Sequence, residues 1–263
     1  MAEDTILTAR SDGVLTVTLN RPQAKNAMNF AMVDALIGAF DDAATDDAVR
    51  VVVLRGTDGV FCAGGDLKDM GSSAQNKADV AKGNRRFGEL LEVAQAFPKS
   101  LITVCEKAAM GGGFGLVCVS DIAIAESGCR FGMPEVTLGI LPAQIAPFVL
   151  ARIGLTETRR LALTGHIIDG DDAKKVGIAH YSEQGNAALK ERLNIVIKQC
   201  LKSAPNAVRA TKKLLLETAQ AVSPETLDMA AEMFADALLG DEGREGTLAF
   251  REKRRPSWTE EIT

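Results

Sequence analysis

Three consecutive glycines, Gly111, Gly112 and Gly113, follow an apolar stretch and leave the main chain bare where a helix is expected to begin. Backbone N–H groups gathered at such a point lack partners inside the helix and stabilise developing negative charge. Downstream stands Glu135, directly after Pro134. Together the two features offer an anion-stabilising main chain and a carboxylate that moves protons. A second bend, Ala63-Gly64-Gly65-Asp66, also lacks bulk and also precedes a helix. Two amides from separate loops are what a thioester oxygen requires.

Each feature has a structural reading as well. Clustered glycines serve tight turns and close helix packing, and a glutamate in a first helical turn complements the helix dipole by about 0.3–1 kcal/mol. The residues by themselves leave both readings open. Other chemistry is disfavoured by spacing. A dinucleotide motif needs a glycine at its sixth position, where Leu116 or Cys118 stands, and neither a P-loop nor a GxSxG elbow occurs. Only two histidines, His166 and His180, are present, with no HExxH, so no metal site is expected. They are read as surface or core groups, Asp66 and Asp121 as helix-start and strand-start residues. Phe131, Met133 and Leu138 are expected to wall Glu135 off from water.

The elements that must position these groups follow from periodicity. Leu15, Val17 and Leu19 alternate with threonines in a half-buried strand over 14–19. Asn29 caps a helix with Phe30, Val33, Leu36, Ile37 and Phe40 on one face. Val49 to Leu54 is a nearly unbroken apolar run, a strand covered on both faces. Gly71 to Asp79 is expected to be a mobile loop. A helix runs from Val80 to Phe97, a strand over 101–105, a helix over 112–119 and a strand over 121–125. Helices over 144–153 and 156–164 are separated by Gly154. Asp169 caps a helix over 171–176, and 178–181 is a short last strand. Thereafter the pattern is helical only: 187–201, 206–219, 224–239 and 241–254. The fold class is therefore α/β, with a catalytic core over 1–204 and a helical carboxyl-terminal region over 205–263.

Composition is that of an ordinary globular chain, with 46% hydrophobic and 25% charged residues. A net charge of −5 without a basic stripe argues against nucleic acid. No apolar run approaches a membrane span, and an acidic amino terminus without a long apolar stretch argues against a secretory signal. The five cysteines are odd in number and lie mostly in apolar runs, which fits reduced thiols and a cytoplasmic location.

The run 50–56, then Phe61-Cys62-Ala63-Gly64-Gly65-Asp66-Leu67, Gly111-Gly112-Gly113, Asp121 and Phe131-Gly132-Met133-Pro134-Glu135-Val136-Thr137-Leu138-Gly139 resemble the crotonase (enoyl-CoA hydratase/isomerase) superfamily. The likeness extends over nearly the whole chain, and its motifs are specific in combination. It implies a spiral of ββα units with a helical carboxyl-terminal region that builds trimers or dimers of trimers. It also implies an acyl-CoA thioester substrate, with coenzyme A as part of the substrate and no separate cofactor. By position, the oxyanion amides fall on Gly65 and Gly112, and the acid/base on Glu135. The coenzyme A moiety lies along Lys25, Ala27, Ala63, Gly64, Asp66, Leu67 and Lys68. Phe250 and Lys253 reach the nucleotide end from a neighbouring subunit.

Hydratases of the family carry two glutamates, and at the position of the first this chain has Gly115. Glycine inside a helix costs about 1 kcal/mol against alanine, so Gly115 is expected to leave room for a bulky acyl group or its carboxylate. Within the superfamily the likeness is greatest to isohexenylglutaconyl-CoA hydratases. The expected activity is hydration of a 3-branched 2-enoyl-CoA. The alternatives are a Δ3,Δ2-enoyl-CoA isomerase, for which one carboxylate suffices, and a non-catalytic acyl-CoA binder.

Overall fold

The computed structural model describes residues 4–66, 68, 76–219 and 222–259. Its frame is a six-stranded sheet in the order β1 (Ile6–Ser11), β2 (Val14–Leu19), β3 (Val51–Gly56), β4 (Ser100–Cys105), β6 (Ile122–Glu126), β8 (Tyr181–Glu183). Strand β2 (Val14–Leu19) buries Leu15, Val17 and Leu19 as their alternation predicts. It pairs antiparallel with β1 (Ile6–Ser11) through a turn at Asp12 and Gly13, both at positive φ. Such a two-residue turn matches the right-handed twist of the strands it joins. Strand β1 is an edge that faces mostly solvent, so it carries no hydrophobic period and escapes a reading by pattern.

The remaining strands of this sheet are parallel: β3 (Val51–Gly56), β4 (Ser100–Cys105), β6 (Ile122–Glu126) and β8 (Tyr181–Glu183). Helices cover both faces, which is why β3 is apolar and buried from Val51 to Leu54. Val52 and Leu54 join the main core with α1 (Phe30–Thr45) and α2 (Lys77–Ala96), whereas Val51 and Val53 pack toward α6 (Gly185–Lys202) on the other side. Asn29 caps α1, its side chain accepting from the Met32 amide. At the other end of α1, the nearly buried Lys99 donates to the carbonyls of Ala43 (2.7 Å) and Asp46 (2.6 Å), supplying partners that the last turn lacks.

A second, inner layer is made of very short strands. β5 (Ala108–Met110) pairs with β7 (Arg130–Gly132), Cys62 bridges to Ala109, and Phe131 bridges to Ile168. Each long strand is followed by a member of this layer: β3 by Cys62, β4 by β5, β6 by β7. The chain then turns a corner, at Gly64-Gly65, at Gly111-Gly112 and at Met133-Pro134-Glu135. Because the short strands are paired, successive corners are held side by side. This is the spiral of ββα units that the resemblance implies. From the second corner runs α3 (Gly112–Val119), buried nearly all round. From the third comes a 3-10 turn over Pro134–Leu138.

Several boundaries differ from the periodic reading. Residues 71–75 of the expected loop lie outside the described residues, but Asn76 caps α2 by accepting from Asp79, so Lys77 to Asp79 are already helical. The two helices expected on either side of Gly154 are present and are taken together as α4 (Ala146–Thr164), broken where Gly154 takes φ 73° and ψ 172°. α5 (Gly170–Lys175) is capped by Asp169. The amides of Ile178 and Ala179 both donate to Ala173, closing α5, so the last strand starts only at Tyr181. Beyond Pro205 stand α7 (Pro205–Thr218), α8 (Pro224–Leu239) and α9 (Asp241–Glu252). Among the described residues no helix is long and apolar enough to cross a membrane.

Candidate active site

The first two corners meet main chain to main chain. A Cβ on Gly64 would lie 3.3 Å from the Met110 carbonyl oxygen, and one on Gly111 would lie 3.6 Å from the Gly64 Cα. Both residues take positive φ, 109° and 49°, in the region that L side chains avoid. The glycines therefore serve the tight-turn reading and the chemical one together: side chains are absent so that the two backbones can touch.

The pairing also decides which amides are left over. Met28 donates to the Gly64 carbonyl and accepts from the Asp66 amide, each at 2.8 Å. That parallel bridge turns the N–H of Gly65 to the opposite side. Gly111 donates to Gly132 (3.0 Å), and Gly115 donates to the Gly111 carbonyl (3.0 Å). Gly112 stands at the first position of α3, where an N–H has no helical acceptor. Among the described residues neither the Gly65 nor the Gly112 amide has an acceptor. Both line one narrow cavity of about 100 Å³, together with Glu135.

Glu135 enters this cavity from the 3-10 turn, whose end is fixed by Gly139 in the left-handed region and by the Ile140 amide donating back to the Glu135 carbonyl. Its Oε1 lies 3.0 Å from where a Gly111 Cβ would be. Its Oε2 is buried without a hydrogen-bond partner. Burial raises the carboxyl above the usual glutamate value of 4.5, opposed only by a main-chain hydrogen bond at the residue itself. The apolar wall is not the one expected. Phe131 and Met133 belong to the main core, and Leu138 is 59% exposed. The loop 140–145 and Phe87 of α2 line the cavity instead, with Asn84 and Gln144 as its other polar side chains. Nothing in the local sequence marked those two. The only hint was Gly88, a glycine within a strongly helical stretch.

Other reactive groups nearby are inert. The buried Cys62 thiol exchanges weak hydrogen bonds with the Gly64 main chain, and burial pushes it up to about 12, so it stays protonated. Nδ1 of His180 accepts from the Ala123 amide at 2.9 Å, a structural use. No three His, Cys, Asp or Glu among the described residues cluster as a metal site would require.

Residues 9–261 match the family described as enoyl-CoA hydratase/isomerase. The chain belongs to that family. A solved structure from Pseudomonas aeruginosa, AtuE, is 51% identical, covering 97% of this chain and 100% of its own, with a TM-score of 0.95. An enoyl-CoA hydratase/isomerase structure from Marinobacter aquaeolei is 45% identical, with 97% and 99% coverage and a TM-score of 0.94. The 2,3-dehydroadipyl-CoA hydratase of Escherichia coli is 31% identical over 96% of this chain and 98% of its own. The fold is thus that of the crotonase-type hydratases.

In this member of the enoyl-CoA hydratase/isomerase family, the residues assigned by resemblance differ in how they relate to the cavity. Lys25 to Ala27 run beside the first corner: Ala63 donates to the Lys25 carbonyl, and the buried Asn26 side chain fixes the loop through Thr57 and Val60. Asp66 pairs with Arg21 at 2.9 Å, both side chains 17% exposed, and its Oδ1 accepts from the Lys68 amide, so it shapes the bend. Leu67 lies outside the described residues. Gly115 corrects the expectation of open space: a Cβ there would meet Ile145 Cγ2 at 2.7 Å and Leu91 Cδ1 at 3.2 Å. Ile145 fills the room beside it, and Gly115 is not among the residues that line the cavity. Phe250, 85% exposed, and Lys253 lie at the end of α9 and do not line the cavity.

Proposed function

We propose that the protein hydrates a 3-branched 2-enoyl-CoA of the isohexenylglutaconyl or methylglutaconyl kind. The thioester oxygen accepts from the Gly65 and Gly112 amides, which draws electron density from C3 through the conjugated carbonyl. The oxygen of a water attacks C3 and one of its protons passes to Glu135. C2 receives a proton from Glu135, and the enolate collapses to the saturated thioester. The observation that carries this reading is the single cavity where two amides without acceptors meet a carboxylate whose buried Oε2 has no partner. An apolar lining from Phe87, Ile140, Leu141 and Ile145 supports a hydrocarbon branch. The coenzyme A moiety runs past Lys25, Ala27 and the first corner, and assembly into trimers brings Phe250 and Lys253 of a neighbour to its nucleotide end.

Assaying thioesters that differ only in branching at C3, in water labelled with heavy oxygen, tests this directly. The 3-hydroxyacyl product should carry the label, with branched substrates preferred. Glu135→Gln should lower kcat by at least about 100-fold, the lower range of general acid–base contributions. One observation favours a second reading: Glu135 is the one carboxylate among the residues lining the cavity, and a single acid can shuttle a proton between C4 and C2. Deuterium appearing at C2 or C4 without a labelled hydroxyl would establish a Δ3,Δ2-isomerase instead.

A further inference from the structure

Addition of water needs a contact that holds the nucleophile over C3 as well as a base that deprotonates it. The position where relatives with two glutamates have the first is Gly115, closed by Ile145. Across the same cavity, Asn84 of α2 and Gln144 of the loop before α4 meet: Gln144 Nε2 donates to Asn84 Oδ1 at 3.0 Å. This meeting is built into the helix. Gly88 lies one turn beyond Asn84 on the same face, and Gln144 Oε1 stands 2.0 Å from where a Gly88 Cβ would be. Glycine there sacrifices about 1 kcal/mol of helix propensity relative to alanine, and the vacated volume is where the Gln144 carboxamide sits.

Once bonded to each other, the two carboxamides retain free capacity, namely both Asn84 N–H donors, one Gln144 N–H and the Gln144 Oε1. Building on the hydratase reading above, we propose that the Asn84–Gln144 pair positions the attacking water opposite Glu135. The pair offers an incoming water both donors and an acceptor. The pair neither gains nor loses a proton: the water oxygen joins C3, its proton goes to Glu135, and Glu135 supplies C2.

Two assays on the intact protein separate this role from its foundation. Hydration of 3-methylcrotonyl-CoA requires a held water. Exchange of the C2 hydrogens of isovaleryl-CoA in heavy water requires only the two amides and Glu135. Asn84→Ala and Gln144→Ala should each lower kcat for hydration by about 10- to 100-fold, the scale of a misplaced reactant, with KM and C2 exchange little changed. Gly88→Ala should do the same by displacing the flexible Gln144 amide, without loss of thermal stability because alanine is the better helix former. The proposal is overturned if hydration persists in all three variants, or if hydration and C2 exchange fall together, which marks a structural role. A wild-type protein that neither exchanges nor hydrates removes the hydratase reading, and this proposal with it.

Discussion

Glu135 is held in a state that costs stability and serves chemistry. Burial raises its carboxyl above the usual value, so the folded state binds the proton more tightly than the unfolded chain does. The stability this contributes is fully present below the ordinary glutamate value and is lost as pH rises through the raised one. At neutral pH the fold therefore carries a poorly solvated anion. Glu135→Gln removes it, and we expect the variant to melt higher than wild type at neutral pH, with the gap closing as pH falls through the ordinary glutamate range. Calorimetry at a series of pH values checks this; an equal melting temperature throughout would mean that the carboxylate is well solvated. The same direction governs turnover. Hydration uses the deprotonated form to accept a proton from water, so kcat should fall on the acid side with an inflection above 4.5, the usual glutamate value.

At the scale of elements, glycines within the helices differ in what they tolerate. A Cβ on Gly113 would stand 2.6 Å from Cys62 Cβ, an atom fixed to the inner layer, whereas nothing lies within 4 Å of one on Gly38 in α1. Gly113→Ala should therefore cost about 1–3 kcal/mol by overpacking, and Gly38→Ala should stabilise by about 0.4–1 kcal/mol. Urea midpoints at constant slope give both. This contrast also marks what the sequence could reveal. Alternation in β2, the unbroken apolar run of β3 and the Asn29 and Asp169 caps are local signals, and those elements were legible. β5 and β7 are three residues each and β1 faces solvent, so pairing rather than period creates them. The corners were legible as glycines, and Glu135 as a residue in a motif. Asn84, Gln144 and the closure of Gly115 by Ile145 were not, because they arise where α2 meets the loop before α4, and no spacing along the chain encodes that contact.

At the scale of the whole molecule, the carboxyl-terminal helices leave large apolar side chains exposed in the single chain. α7 and α8 have no buried residue, and Leu215, Leu227, Phe234 and Leu239 are all at least 60% exposed. Between α7, α8 and the start of α9 runs an apolar groove of about 490 Å³. Single exposed side chains need no explanation, but a continuous apolar surface of this kind marks an interaction site. α9 carries Phe250 on from that surface, which is how the proposed trimer would bring Phe250 and Lys253 to a neighbour's thioester. Assembly and coenzyme A binding should then fail together. Phe234→Glu should reduce the mass measured by light scattering from a multiple of the chain to a smaller species, and should raise KM for acyl-CoA. Phe250→Ala should raise KM while leaving the mass unchanged. C2 exchange at saturating thioester should survive in both, since Gly65, Gly112 and Glu135 all come from one chain. A dissociated Phe234→Glu variant with an unaltered KM would place the whole coenzyme A site within the single subunit.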